Sequence, residues 1–145
     1  MNIVNIKRLN DKAIVPIKSH DGDAGFDLYA CIDDSISILP GETIKIPTGW
    51  AISVPEGYFG AIYARSGLAT KQGLRPGNCV GVVDTPYRGE CIVALHNDSN
   101  TMQQINPNDR IAQLIITPYF NCELNEVGEL DETDRGDKGF GSSGK

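Results

Sequence analysis

The sequence predicts an all-β protein, and three observations support this: many short apolar segments, frequent turns and little helix-forming sequence. About ten short segments are apolar or alternate apolar with polar residues, as buried and half-buried strands do. The chain contains 16 glycines and 8 prolines, which favour tight turns between such strands. Short strands at regular spacing indicate a β-sandwich, a jelly roll or a small barrel.

The predicted strands follow one another along the first four-fifths of the chain. Only residues 65–71 favour a helix, which Ser66 is expected to cap and Gly73 to end. Residues 103–108 are expected to form a connection. The last predicted strand is largely apolar, so we expect both of its faces to be buried. In chain order the predicted strands cover residues 3–9, 13–17, 26–30, 35–39, 43–47, 50–54, 58–64, 79–83, 91–95 and 111–117.

The stretch Gly77–Glu90, GNCVGVVDTPYRGE, combines turns, an apolar run and one carboxylate at its centre. The runs 79–83 and 91–95, joined by a short turn, predict a β-hairpin. Gly81 inside the first run indicates close approach of another group to the backbone. Asp84 ends that run beside the gap, which makes it a candidate for chemistry. An ordinary hairpin with a turn Asp remains the other interpretation.

Length and composition predict a single domain over residues 1–145, with a core over about residues 1–124 and a flexible, glycine-rich tail over about residues 125–145. The net charge of −6 argues against a nucleic-acid-binding surface, since such domains are usually basic. No apolar run is long enough to span a bilayer, and the N-terminus lacks the apolar core of a signal peptide. We therefore expect a cytoplasmic protein without membrane contact.

The cysteine pattern gives little support to a zinc site. Cys31, Cys79, Cys91 and Cys122 form no C-x-x-C pair, and the two histidines lie far from most of them in sequence. In the expected compartment, free buried thiols are the favoured state.

Three places along the chain carry residues suited to a phosphate ligand or to a magnesium ion that accompanies it. Arg65-Ser66-Gly67 stands where a strand meets a helix, so backbone N–H groups and a guanidinium can face an anion there. The same residues also fit a helix end with a solvated Arg. Asp27 lies in a predicted strand, where it is either a surface residue or a contact to a magnesium-bound water. Gln113 interrupts an apolar run and needs either a ligand or a neighbouring strand as its partner.

The tail from Arg135 to Gly144 combines cations and glycines with one aromatic residue, Phe140. Backbone N–H groups in such a tail can close over phosphates while the aromatic ring stacks on a base. A disordered chain end is the other interpretation.

Five segments together resemble the five motifs of the homotrimeric dUTPases, in order and in spacing. The resemblance covers nearly the whole chain, and five motifs in order are far more specific than any one. It implies a jelly-roll-like β-sandwich or distorted barrel, and a homotrimer whose sites lie at subunit interfaces, with the tail lent by another subunit. The segments are AGFDLYA (24–30), ARSGLA (64–69), GNCVGVVDTPYRGE (77–90), DRIAQL (109–114) and RGDKGFGSSG (135–144).

The resemblance also implies a reaction, the Mg²⁺-dependent hydrolysis of dUTP to dUMP and pyrophosphate. This reaction keeps uracil out of DNA and supplies dUMP for thymidylate synthesis. Asp84 matches the general base that directs water at the α-phosphorus. Asp27 matches an acid that contacts the metal through water, while the triphosphate holds the ion.

The other matched positions imply how the nucleotide is bound. Asn78 and the backbone from Val82 through Val83 to Asp84 match the uracil-binding elements, and Tyr87 matches a residue under the deoxyribose. The remaining substrate-binding positions are Arg65, Ser66, Gly67 and Gln113 on the phosphate chain, Arg135 on the γ-phosphate, Phe140 stacked on uracil, and Gly141 and Ser142 beside it in the tail.

The chain departs from the family pattern at a few positions. Thr85-Pro86 replaces a pair that is often small and then acidic, and Pro86 suits the second position of a turn from Thr85 to Arg88. Ile92 stands where a longer side chain often faces the pocket. Ala64 replaces a common Pro.

Two other functions are consistent with such a fold. A dCTP deaminase would carry an R-S-S run and a catalytic Glu, where this chain has Arg65-Ser66-Gly67 and Asp84. A non-enzymatic trimer that binds a regulatory protein would show a damaged motif, and none of the five looks damaged.

Overall fold

The strands of the computed structural model, which describes residues 3–139, form two four-stranded sheets and one two-stranded ribbon, all with antiparallel pairing. One helix, α1 (Ser66–Gln72), lies between the fifth and sixth strands. The strands are β1 (Asn5–Arg8), β2 (Phe26–Tyr29), β3 (Ile36–Ile38), β4 (Thr43–Ser53), β5 (Tyr58–Tyr63), β6 (Leu74–Pro76), β7 (Gly81–Val83), β8 (Glu90–Asn97), β9 (Gln103–Ile105) and β10 (Arg110–Pro118).

The first sheet has the order β1-β4-β8-β6, the second has the order β2-β10-β5-β7, and β3 pairs with β9. The core lies where apolar side chains of all three meet. In β8, Cys91, Val93 and Leu95 are buried at every second position, as expected for a strand with one face on the core. The prediction of an all-β fold with one short helix is thus confirmed.

The predicted strands 43–47 and 50–54 are one long strand, β4, with an irregularity between Pro47 and Ala51. Gly49 has a φ of 75°, a left-handed conformation that glycine adopts without steric cost. The N–H of Gly49 donates to Glu90 Oε1 at 2.7 Å, which ties the irregularity to β8. The turn-like sequence between the two predicted strands therefore marks a bulge within one strand.

The predicted hairpin over residues 79–95 is wrong. β7 pairs with β5 in the second sheet, whereas β8 pairs with β4 and β6 in the first. The chain passes from one sheet to the other through a turn in which the N–H of Tyr87 donates to the carbonyl of Asp84 at 3.1 Å. That turn spans residues 84–87, not the predicted 85–88. Alternation shows which face of a strand is buried, but it carries little information about the pairing partner.

Other local predictions differ in detail. Only Ile17 of the predicted strand 13–17 makes a bridge, to Asp27. β6 was not predicted, and β9 lies in the segment that was expected to form a connection. Each of these strands has three residues, too few for a periodic pattern to be visible. Ser66 is the first residue of α1 and not its cap, since Arg65 occupies the cap position without a side-chain hydrogen bond. Gly73 ends α1 in the left-handed conformation, as predicted.

The last strand and three of the four cysteines are less buried than the sequence predicted. In β10, Ile111, Ala112 and Leu114 are buried, but residues 115–117 are only partly covered. All four cysteines are free, yet only Cys91 is fully buried, and that burial raises the pKa of its thiol to about 11. Cys79 and Cys122 are exposed, contrary to the prediction.

Residues 119–139 contain no helix or strand, and the described tail over 125–139 is exposed almost throughout. Phe140, Gly141 and Ser142 lie outside the described residues. The one helix within residues 3–139, the seven-residue α1, is far too short to cross a membrane.

Candidate functional site

A buried carboxylate between two guanidinium groups forms the centre of the candidate site. Asp27 on β2 is 8% exposed. Its Oδ1 accepts a hydrogen bond from Arg65 Nε at 2.8 Å, and its Oδ2 accepts from Arg110 Nη1 and Ser19 Oγ, both at 3.2 Å. Two cations thus face this one carboxylate. This arrangement excludes the interpretation of Asp27 as a solvated surface residue.

Strand pairing explains why these distant residues meet. Gln113 on β10 lies opposite Asp27 on β2 and opposite Tyr63 near the end of β5, and Arg65 follows that end by two residues. The residues enclose a polar cleft of about 470 Å³. The cleft unites five of the predicted site residues, Asp27, Arg65, Ser66, Gly67 and Gln113, with Ser19, Asp23, Ala24 and Gly25.

The side chain of Gln113 has a hydrogen-bond partner within the chain and also lines the cleft. Its Nε2 donates to the carbonyl of Ala64 at 2.9 Å, which gives the amide a partner on the neighbouring chain segment. The same side chain lines the cleft. Gly25 lies so close that a Cβ atom there would be 2.5 Å from Gln113 Oε1. Glycine at position 25 thus leaves the space that the Gln113 amide occupies.

Asp84 lies in a second cleft, of about 510 Å³, which it lines with Val82, Thr85, Pro86, Tyr58, Phe59 and Tyr119. Its side chain is exposed and makes no hydrogen bond or ion pair within residues 3–139. A carboxylate in this state can accept a hydrogen bond from water. The side chain of Val83 is buried in the core, so only its backbone can face a ligand, whereas Val82 is 60% exposed.

Several hydrogen bonds hold the turn that carries Asp84. Thr85 Oγ1 donates to the carbonyl of Tyr58 at 3.0 Å, which ties the turn to the start of β5. Arg88 Nη1 donates to the carbonyls of Thr85 and of Tyr87. Tyr87 Oη donates to the carbonyl of Glu90 at 2.9 Å, which fixes the direction of the Tyr87 ring. Pro86 and its neighbours therefore belong to a well-supported turn.

Within one chain, the polar cleft and Asp84 lie at opposite ends of β5. Val83 pairs with Gly60, so Asp84 is beside Phe59 at the start of the strand, whereas Arg65 follows its end. Arg65 lies six positions after Phe59, which corresponds to about 20 Å of extended chain. The five residues of the cleft and Asp84 therefore do not form one site in a single chain.

Among the described residues, the predicted site residues Asn78, Tyr87 and Arg135 lie outside both clefts. Asn78 is exposed in the turn before β7, and Tyr87 is 45% exposed. Arg135 is exposed in the tail, where its Nε donates to the carbonyl of Lys138 at 2.9 Å. Ile92, one of the departures from the family pattern, is 44% exposed on β8.

Sequence reasoning did not identify Arg110 or Ser19 as members of the site. Arg110 opens β10 inside the segment DRIAQL, and a charged residue at the start of a buried strand was the available signal. Ser19 gave no signal, since its contact with Asp27 spans eight residues of irregular chain.

The same geometry tests whether the site fits a magnesium ion. The carboxylate of Asp27 has about four acceptor positions, and the three hydrogen bonds from Arg65, Arg110 and Ser19 leave room for about one more. This fits a hydrogen bond from a metal-bound water but not direct coordination. Among residues 3–139 there is no group of three or more His, Cys, Asp or Glu side chains placed to hold a metal ion.

The sequence of this chain matches one family model and is similar to named enzymes of the same kind. The dUTPase family model matches residues 11–144. The chain is 43% identical over 141 residues to the deoxyuridine 5'-triphosphate nucleotidohydrolase of Syntrophotalea carbinolica, covering 97% of this chain and 96% of that protein. It is 42% identical over 139 residues to the enzyme of that name from Paraburkholderia phytofirmans, covering 95% and 93%.

Solved structures give the same result. The dUTPase of Staphylococcus bacteriophage 80alpha, solved with dUpNHpp, matches with a TM-score of 0.90 and 31% identity over the whole of both chains. A mutant dUTPase from phage phi11 of S. aureus, described with a structural Mg(II) ion, matches with a TM-score of 0.81 and 27% identity over 90% of this chain and 100% of that one. These neighbours confirm the jelly-roll type of fold.

Proposed function

This chain belongs to the dUTPase family and hydrolyses dUTP to dUMP, and we propose that it does so at sites built between the subunits of a homotrimer. The observation that carries the proposal is the separation of the polar cleft from Asp84 along β5. A general base must lie within about 3 Å of the water that it activates. Asp84 of one subunit therefore completes a site whose phosphate-binding residues come from another subunit.

The polar cleft binds the triphosphate. Arg65 presents a guanidinium fork to phosphate oxygens, and the backbone N–H groups of Ser66 and Gly67 face the same anion. Gln113 adds an amide from β10. The two guanidinium groups paired with Asp27 offset its negative charge and that of Asp23, which lines the same cleft, so bound Mg²⁺ would supply most of the charge that compensates the phosphate chain.

Asp84 acts as the general base. Its carboxylate accepts a proton from a water molecule as the water oxygen attacks the α-phosphorus. The bond between the α-phosphorus and the oxygen bridging to the β-phosphorus breaks, and pyrophosphate leaves. Because phosphoryl transfer depends mainly on positioning and charge stabilisation, the hydrogen bonds that hold the turn of Asp84 contribute directly to the rate.

The turn before β7 and the strand itself recognise uracil. Asn78 and the backbone of Val82 and Val83 offer donors and acceptors that match this base and leave polar groups unpaired against cytosine. Mismatches of this kind can give about 10⁴-fold rejection. The ring of Tyr87, oriented by its hydrogen bond to Glu90, packs under the deoxyribose and leaves no room for a 2'-hydroxyl.

Mg²⁺ is the proposed cofactor, and Asp27 is the residue of this chain that would contact it, through a metal-bound water. When bound, the ion neutralises part of the charge on the triphosphate. Asp27 keeps its guanidinium partners in place and directs its remaining acceptor position towards the cleft.

The tail is proposed to close over the nucleotide of a neighbouring subunit. Arg135 contributes a contact to the γ-phosphate, Phe140 stacks on uracil, and Gly141 and Ser142 add backbone donors. We also propose a cytoplasmic location. The proposed partners are the nucleotide, pyrophosphate and the other subunits, without nucleic acid or membrane.

Mixing two inactive variants tests the shared site. Asp84→Asn and Arg65→Met proteins, each refolded alone, are expected to be nearly inactive. If the two are refolded together in equal amounts, random assembly pairs an intact Asp84 with an intact Arg65 in about a quarter of the sites. Pyrophosphate release from dUTP is therefore expected to recover to about a quarter of the wild-type rate. A mixture no more active than its components would show that one chain supplies both residues.

The substitution Gly25→Ala tests the role of Gln113. The new Cβ atom would displace the Gln113 amide from the carbonyl of Ala64, and kcat/KM for dUTP is expected to fall about tenfold. The closest atom is the end of a flexible side chain, and the contact with Gln113 Cβ at 3.2 Å requires only a small shift, so the melting temperature should change little. Gly128→Ala is the matched control, since a Cβ there meets nothing within 4 Å. Equal kcat/KM in both variants would argue against this role.

A further inference from the structure

The turn that carries Asn78 contains a strained residue. Cys79, directly after Asn78, has a φ of 63°, a left-handed conformation that residues with a side chain rarely adopt. Two backbone hydrogen bonds surround it, from the N–H of Cys79 to the carbonyl of Pro76 at 3.0 Å and from the N–H of Val80 to the carbonyl of Asn78 at 2.7 Å. Such a conformation persists only where neighbouring groups hold it.

Arg75, on β6, contacts this turn from one side with a single nitrogen. Its Nη1 lies 3.1 Å from the carbonyl oxygen of Pro76, 3.4 Å from that of Gly77 and 3.8 Å from Cys79 Sγ. Through these contacts Arg75 connects Pro76, Gly77 and the strained Cys79. Arg75 is therefore placed to fix the path of the backbone around Asn78.

The guanidinium of Arg75 is itself held from behind. Its Nε and Nη2 both donate to the carboxylate of Asp98, the latter at 3.1 Å. Asp98 also lies 3.2 Å from His96 Nε2, and His96 Nδ1 lies 2.8 Å from Thr43 Oγ1 on β4. The row of contacts thus runs from β4 through β8 to the turn. A two-pronged pair of this kind fixes orientation as well as distance.

We propose that Arg75 is a positioning residue for base recognition, which holds the turn of Asn78 in the shape that reads uracil. This inference rests on the proposed role of Asn78 in binding the base. The pair with Asp98 is partly exposed, and pairs of that kind contribute little to the overall stability of a fold. Its effect is therefore expected in nucleotide binding and selectivity rather than in the stability of the protein.

The variant Arg75→Met tests this role by steady-state kinetics with dUTP and dCTP. We expect KM for dUTP to rise about tenfold with kcat within about twofold of wild type, because base binding contributes equally to the ground state and the transition state. The preference for dUTP over dCTP should fall by about tenfold. Arg75→Lys keeps the charge but not the fork, so it should restore only part of the loss.

The controls separate positioning from a general structural effect. Lys12→Met removes the exposed ion pair with Asp33, which lies away from the turn, and should leave KM, selectivity and melting temperature unchanged. A wild-type KM and wild-type selectivity in Arg75→Met would overturn the inference. So would a loss of kcat with an unchanged KM, which a distorted fold would produce.

A double substitution tests the link to strain. Glycine adopts a φ of 63° without steric cost, so the effect of Arg75→Met on KM should be several-fold smaller in a Cys79→Gly background. Equal effects in both backgrounds would show that Arg75 does not hold this conformation.

Asn78→Ala distinguishes failure of this inference from failure of the proposed function. A raised KM in Asn78→Ala together with a wild-type KM in Arg75→Met would refute only the role of Arg75. A wild-type KM in Asn78→Ala would refute the assignment of this turn to the base, and the inference with it.

Discussion

The Asp84→Asn variant is expected to bind dUTP with unchanged affinity and to hydrolyse it about 10³-fold more slowly. The amide has nearly the same size as the carboxylate but cannot take a proton from the attacking water. The side chain of Asp84 is exposed and has no partner within residues 3–139, so the substitution should not disturb the fold. Pyrophosphate release gives kcat, and calorimetry with a non-hydrolysable analogue of dUTP gives the affinity.

Asp34→Asn is the matched control for this experiment. Asp34 is also exposed, and the substitution makes the same chemical change away from both clefts. We expect its kcat to equal that of wild type. Normal turnover in Asp84→Asn would contradict the assignment of the general base, and a large rise in the dissociation constant would show that Asp84 mainly binds substrate.

Removal of residues 135–145 is expected to lower kcat/KM for dUTP by about 10²-fold or more, with little change in melting temperature. The deleted segment includes Arg135 and the proposed stacking residue Phe140. The described part of this segment lies outside every strand and helix and buries almost nothing, so its loss should cost little stability. Pyrophosphate release and thermal unfolding by circular dichroism measure the two effects.

Replacing the same residues with a Gly-Ser segment of equal length is the control for chain length. It should be as impaired as the deletion, because the cations and the aromatic ring are missing from both. Activity close to wild type in the Gly-Ser variant would show that the tail acts only by its length. A large fall in melting temperature after the deletion would contradict the proposal that the tail lies outside the core.

Local patterns predicted the elements of the fold well where one residue type dictates a conformation. Gly73 ends α1 as predicted, since its left-handed conformation suits glycine. An apolar run identified β8, in which Cys91, Val93 and Leu95 lie on the core side and Ile92 is exposed. The same reasoning failed for the hairpin around Asp84, because two adjacent strands with well-formed patterns joined different sheets.

The residues of the candidate site were likewise predicted only in part from the sequence. Asp27, Arg65 and Gln113 were named from their residue types and from the resemblance of their segments to known motifs. Arg110 was not, because its role depends on a hydrogen bond to a residue 83 positions earlier in the chain. Arg75 was likewise invisible, since its partner Asp98 is distant in sequence and neither residue stands in a recognisable pattern.

The amino-acid sequence alone determined the all-β class, the order of the motif segments and the residue types available for binding a nucleotide. Only the tertiary structure decided that Asp27 is buried between two guanidinium groups and that Asp84 lies at the far end of β5 from them. The physical reason is that apolar periodicity reports which side of a strand avoids water. Strand partners and charge pairs are chosen by contacts between residues far apart in the chain, which local periodicity does not encode.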